Sequence, residues 1–150
     1  MPNKFFPVSI DLNNKNILVI GAGKIALRKV KTLLDYNCNI TVITKEVSEE
    51  EFLELEKENK IKILKNQEFE EKFLENIFLV IAATDDEVLN KNISQLCMSK
   101  NILVNNITSK DDMNVRFASI YEKDDIQIAI SANGNPKKAV EIKNKIKDIF

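Results

Sequence analysis

The chain has 150 residues, 44% of them hydrophobic and 30% charged, with 22 Lys and Arg against 23 Asp and Glu. That is an ordinary globular composition for one domain, or one domain with an appendage. At this length folding buries roughly 68–70% of the unfolded surface, enough for a core without disulfides or a structural metal. A net charge of −1 and a sequence pI near 5.7 give no basic footprint, so neither nucleic acid nor an anionic membrane is expected as a partner. The lack of histidine excludes His-based zinc sites and Ser-His-Asp or Cys-His catalysis, and no metal ligands are assigned. Cys38 and Cys97 stand apart, as expected of core or helix-face thiols in a reducing, cytoplasmic setting. Residues 1–6 hold no long apolar leader, and no run reaches the ~18–20 apolar residues of a membrane span.

In chain order, residues 16–20 (NILVI) form a short apolar, β-branched run ending at Gly21, the pattern of a strand buried on both faces. Residues 24–35 place Ile25, Ala26, Val30, Leu33 and Leu34 on one helical stripe, and residues 40–44 read as a second strand. A strand, a crossover helix and a strand imply parallel pairing with a right-handed connection. Ser48 followed by Glu51 has the spacing of a capping box opening a charged helix over residues 48–60. Residues 61–64 are a third strand, 69–76 a short helix or turn, and 77–83 a strongly apolar fourth strand. Thr84 or Asp85 is placed to cap a helix over residues 87–100, with Val88, Leu89, Ile93, Leu96 and Cys97 on one face. Residues 102–105 complete a five-stranded alternation. Beyond it lie two strands at 115–121 and 126–131, a turn at 133–136, and a helix over 137–150 with Ala139, Ile142, Ile146, Ile149 and Phe150 on one side. Two strands and a helix make a poor independent core, so this segment is expected to pack on the first unit or on another copy. The expected domains are residues 1–113 and 114–150.

Gly21-Ala22-Gly23-Lys24-Ile25-Ala26 fits G-x-G-x-x-A between a predicted strand and a predicted helix. The first glycine permits the tight turn, the second lets the backbone approach a pyrophosphate, and the small third residue lets helix and strand close together, with the phosphate charge at the helix start. Two of only three glycines are spent on this turn. The position that reads the ribose, at the end of the second strand, holds Thr44 or Lys45 with Glu46 beside it. Glu46 is able to accept from the 2′-hydroxyl of NAD and Lys45 to tolerate the 2′-phosphate of NADP, so both cofactors stay open. Thr84 and Asp85 lie at the carboxyl end of the fourth strand, where open α/β sheets bind ligands, and serve either a ligand or the following helix. Asn105, at the end of the fifth strand, is expected to face the same crevice.

With these residues, and with Phe6-Pro7, Leu27-Arg28-Lys29, Val80-Ile81-Ala82-Ala83-Thr84-Asp85-Asp86, Ile102-Leu103-Val104-Asn105 and Ile128-Ala129-Ile130-Ser131, the whole chain resembles the precorrin-2 dehydrogenases. In many organisms these are also sirohydrochlorin ferrochelatases, or the N-terminal region of siroheme synthase. The resemblance implies a Rossmann-like parallel five-stranded sheet with helices on both faces, followed by a strand pair and a helix that exchange in a homodimer. It also implies NAD-dependent oxidation of precorrin-2 to sirohydrochlorin. Cofactor contacts are then expected at Gly21, Gly23, Lys24, Ile25, Lys45, Glu46, Thr84 and Asp85. Carboxylates of the tetrapyrrole are expected at Arg28, Lys29 and Arg116, and further substrate contact at Asn105.

Two departures qualify this. The family's acid/base aspartate, three residues past the asparagine equivalent to Asn105, is replaced by Thr108, leaving Asp111 or Asp112 of the same loop as substitute carboxylates. The loop from Ser131 to Pro136 is shorter and less glycine-rich than the family pattern, with Ala132 in place of a serine. Family members often continue beyond the equivalent of Phe150 into a helical region over the active site. The contrasting reading is a dinucleotide-binding sensor or scaffold for another tetrapyrrole enzyme.

Overall fold

The computed structural model describes residues 4–150; Met1–Asn3, part of the segment read for a leader, lie outside the described residues. Two compact units emerge, Val8–Asn114 and residues 4–7 with Val115–Phe150. Residues 4–7 thus cluster with the later segment, whereas the sequence reading groups them with the first.

The larger unit is a parallel sheet of β1 (Asn16–Ile20), β2 (Asn39–Ile43), β3 (Lys62–Leu64), β4 (Leu79–Ala82) and β5 (Leu103–Asn106) in the order β3-β2-β1-β4-β5. Helices α1 (Lys24–Leu33), α2 (Glu50–Lys57) and α3 (Glu87–Ser99) connect them, and a 3-10 turn over Glu71–Leu74 carries the return from β3 to β4. Right-handed crossovers running outward in opposite directions from β1 and β4 place α1 and α2 on one face and α3 on the other. Leu18, Ile20, Val80, Ala82 and Val104 point to the α3 face and pack with Leu74, Ile93 and Cys97. The alternate residues Ile17, Val19, Val42 and Ile81 are equally sealed, as are Ala26, Val30 and Leu33 of α1 and Phe52 and Leu55 of α2. Burial on both faces explains why these strands read as apolar runs without alternation.

Several expectations shift. Ser48 does not cap α2; Glu49 precedes it without a side-chain cap, and Ser48 Oγ donates instead to the Ala22 carbonyl at 3.0 Å. Asp86, rather than Thr84 or Asp85, caps α3, accepting from Leu89 N. The inner face of α3 is Asn90, Ile93, Ser94 and Cys97, at the i, i+3, i+4, i+7 spacing, and Val88 lies outside it at 69% exposed. Asparagine supplies most of the left-handed positions that glycine fills elsewhere: Asn14, Asn37, Asn59, Asn66, Asn76, Asn101 and Asn133 all have positive φ. The free edge of β5 is covered by Asn114, whose Oδ1 accepts from Val104 N at 2.7 Å and whose Nδ2 donates to the Ile102 carbonyl at 3.1 Å.

In the smaller unit, β6 (Ser119–Lys123) and β7 (Ile126–Ile130) form an antiparallel hairpin, and α4 (Pro136–Ile149) begins at Asn135, which accepts from Lys138 N. Residues 115–118, expected in the first strand, lie outside it. Of the expected α4 face only Ala139 is buried, while Ile142, Ile149 and Phe150 are exposed.

Candidate functional site

The site grows from the end of β1. Gly21 N donates to the Ile43 carbonyl at 2.8 Å, and Ala83 N donates to the Ile20 carbonyl at 2.8 Å, so the loop after β1 is laced to the ends of β2 and β4. Gly21 has φ +110°, and a Cβ there would stand 2.2 Å from the Ala83 carbonyl oxygen. Only glycine fits such a crossing. Gly23 differs: its backbone is extended (φ −93°, ψ −169°), and a Cβ would meet nothing within 4 Å. Gly23 is the N-cap of α1, it makes no side-chain cap hydrogen bond, and the first turn carries no acid. The amide groups opening α1 thus have no side-chain acceptor at a positive helix end, beside a Gly23 that leaves its own Cβ position empty, between the outgoing strands β1 and β4 where the strand order reverses. A diphosphate fits this cradle on charge, on hydrogen-bond complement and on room.

Lys24 and Ile25 stand on that first turn, Ile25 at 41% exposed. At the end of β2, Thr44 is buried, and Lys45 and Glu46 are exposed in the turn that follows. After β4, Thr84 is held by a residue the sequence reading passed over. Asn90 of α3 is fully buried; its Oδ1 accepts from Thr84 N at 3.1 Å and Thr84 Oγ1 at 2.6 Å, and its Nδ2 donates to the Thr84 carbonyl at 3.0 Å and to Thr108 Oγ1 at 3.2 Å. Thr108 Oγ1 in turn donates to Asn106 Oδ1 at 2.9 Å. One buried amide with its full hydrogen-bond complement ties together the loops after β4 and β5. The available signal was two polar residues, Asn90 and Ser94, four apart on an otherwise apolar helix face. We expect Asn90→Leu to cost about 2–4 kcal/mol in urea unfolding at an unchanged m-value, because it strands the Thr84 N–H and carbonyl, while the two hydroxyls keep the Asp86 carbonyl and Asn106 as acceptors.

Thr84 and Asp85 share the cradle's edge, Asp85 exposed. Asn105, expected to face the crevice, is 5% exposed, and its amide donates to Met113 Sδ at 3.4 Å. Of the loop acids, Asp111 is exposed, whereas Asp112 is half-buried with Oδ2 shut off from solvent. Arg28 is exposed and lines a shallow groove along α1 with Lys24, Leu27, Lys31 and Thr32. Arg116 belongs to the smaller unit, where its guanidinium stacks 4.0 Å from the centre of the Phe5 ring.

Lys29 is pushed down from 10.5 to about 8, by burial first and by the neighbouring Arg28 charge second. Between pH 8 and 10.5 the folded chain has released this proton while the unfolded chain holds it, so this group makes stability rise with pH across that window and fall as pH drops through 8. Burial raises the Cys97 thiol to about 11, which acts in the opposite sense from about pH 9 upward. The clean interval is therefore pH 8 to 9. Urea midpoints should climb there in the native chain, and Lys29→Met should flatten the climb.

Fold and cradle together define a dinucleotide-binding α/β protein. The sequence profile of a family described as "Putative NAD(P)-binding" matches residues 8–119. Siroheme synthase of Mannheimia succiniciproducens is 39% identical over 130 residues, which are 87% of this chain and 27% of that protein. Siroheme synthase of Pseudoalteromonas translucida is 35% identical over 148 residues, 98% of this chain and 31% of that one. Among solved structures, SirC, a precorrin-2 dehydrogenase, superposes with a TM-score of 0.84 at 28% identity, covering 97% of this chain and 71% of its own. The chain belongs to this NAD(P)-binding family, and it is similar to part of these siroheme synthases and to the precorrin-2 dehydrogenase SirC. It spans 27–31% of the length of these two siroheme synthases. Among the described residues, no helix is long and apolar enough to cross a membrane.

Proposed function

We propose that the chain oxidises precorrin-2 to sirohydrochlorin with NAD, a step toward siroheme. The uncapped start of α1 behind Gly23, opening on the β1/β4 switch point, is the observation that carries this. Held at the start of α1, NAD would supply the hydride acceptor for this oxidation, and the accompanying proton would be lost separately. The chain's own residues do the rest. Backbone amides of residues 24–26 and the α1 dipole hold the diphosphate, Gly21 keeps the loop against β4, and Asn90 fixes Thr84 at the edge of the site. Glu46 receives the ribose hydroxyl. Arg28 offers a carboxylate partner on the open side of α1.

For the departing proton, Asp112 is the better placed of the two loop acids, being the one turned inward. Thr108 supplies structure, since its hydroxyl is engaged by both Asn90 and Asn106. That engagement, with no carboxylate at this position, is what favours the second reading, a sensor or scaffold that binds dinucleotide without turnover. The same lack leaves ferrochelatase activity as the weaker half of the family's chemistry. Incubation with precorrin-2 and NAD separates the readings. The dehydrogenase reading predicts stoichiometric nicotinamide reduction and sirohydrochlorin absorbance, slowed by Asp112→Ala. Dinucleotide binding without turnover would establish the sensor. The exposed Val140, Ile142, Ile149 and Phe150 of α4 and Ile126 of β7 support a homodimer formed through residues 114–150, which sedimentation would report as twice the chain mass. The free thiols Cys38 and Cys97 favour the cytoplasm.

A further inference from the structure

Lys45, at the end of β2, looks in the sequence like the lone cation of its turn. In the fold it has a partner. Glu68, on the loop after β3, brings Oε1 to 3.2 Å from Lys45 Nζ. Backbone hydrogen bonds fasten this loop in place: Gln67 N donates to the Thr44 carbonyl at 3.1 Å, and Thr44 N to the Leu64 carbonyl at 3.1 Å. Thr44 Oγ1 donates to the Glu46 carbonyl and closes residues 44–46 into a tight turn. The end of β2 thus presents two carboxylates, Glu46 and Glu68, against one ammonium.

In dinucleotide-binding sheets the adenosine ribose arrives at this edge. A 2′-hydroxyl there needs an acceptor, and a 2′-phosphate needs cations. We propose that Glu68 is a specificity-determining residue for the cofactor. By holding and neutralising Lys45 it withholds the cation a 2′-phosphate requires, and it leaves Glu46 to accept from the hydroxyl of the unphosphorylated dinucleotide. This rests on the dinucleotide reading of the Gly21–Gly23 loop. Both partners of the ion pair are about three-quarters exposed, so the pair adds little to stability and acts on the ligand through screened charge. The selectivity it confers is graded.

Calorimetric titration of NAD and NADP onto the whole chain tests this, with Glu68→Gln, Glu68→Lys, and Glu68→Gln in a Lys45→Gln background, at low and high salt. The native chain should bind NAD more tightly. Glu68→Gln should raise NADP affinity about three- to tenfold at low salt while moving NAD affinity less than about twofold, and Glu68→Lys should raise it further. Both gains should shrink at high salt, and the gain from Glu68→Gln should shrink without Lys45. An unchanged NAD to NADP ratio in Glu68→Gln, with NAD still bound, overturns the proposal. So does a gain of the same size without Lys45, which would assign the effect to bare repulsion. Binding of neither dinucleotide by the native chain is a separate result, and it overturns the cofactor reading and this proposal with it.

Discussion

Replacing Gly21 by alanine should destabilise the chain by about 4 kcal/mol or more and abolish dinucleotide binding. Two costs add at this one atom. The backbone at φ +110° is a region that a side chain rarely adopts, and the added methyl would stand 2.2 Å from the Ala83 carbonyl oxygen and 2.6 Å from its carbon. The neighbour is backbone at the end of a fully buried strand, so it has no rotamer by which to withdraw. Relief requires the loop to lift off β4, which breaks the hydrogen bonds lacing β1 to its neighbours and moves the start of α1. Thermal and urea unfolding would show a large loss. Native-like stability in Gly21→Ala would mean that the loop does not cross β4 as described.

Gly23→Asp should do the reverse to the fold and the same to the ligand. At this N-cap an aspartate has compatible backbone angles, open space for its side chain, and amide groups waiting for an acceptor. Stability should hold or rise by a few tenths of a kcal/mol. The carboxylate would then occupy the helix start and repel the diphosphate, and dinucleotide affinity should fall by about a hundredfold or more, on the order of 3 kcal/mol. The pair of variants separates two glycines that look equivalent in the motif. One is required by the fold, the other by the ligand. Calorimetry alongside urea unfolding checks both halves, and retained binding in Gly23→Asp would remove the diphosphate from this helix end.

The legible parts of the molecule were those written in local pattern. β1 was readable to the residue because a β-branched run met a glycine, and the succession of strands and helices followed from apolar periodicity. What escaped depended on partners distant in sequence. Ser48 and Glu51 have the spacing of a capping box, yet Ser48 bonds the Ala22 carbonyl, 26 residues away. Asn90 was not singled out by any local pattern, and its role follows only from the fold that brings Thr84 and Thr108 against it. Glu68 sits in a charged loop with nothing to mark it, and only the β2–β3 pairing brings it to Lys45. In α3, Ile93 and Cys97 of the expected apolar face are buried and Leu89 and Leu96 pack against the core, only Val88 lies outside, and the buried Asn90 and Ser94 complete the inner face.

The central claim is that the amides opening α1 hold the diphosphate of a nicotinamide dinucleotide. Backbone amide NMR during titration with NAD tests it residue by residue. The largest shifts should fall on residues 21–26, with a second set near Thr84 and a weaker one at residues 44–46. Shifts confined to other parts of the chain, or none at saturating NAD, would contradict it.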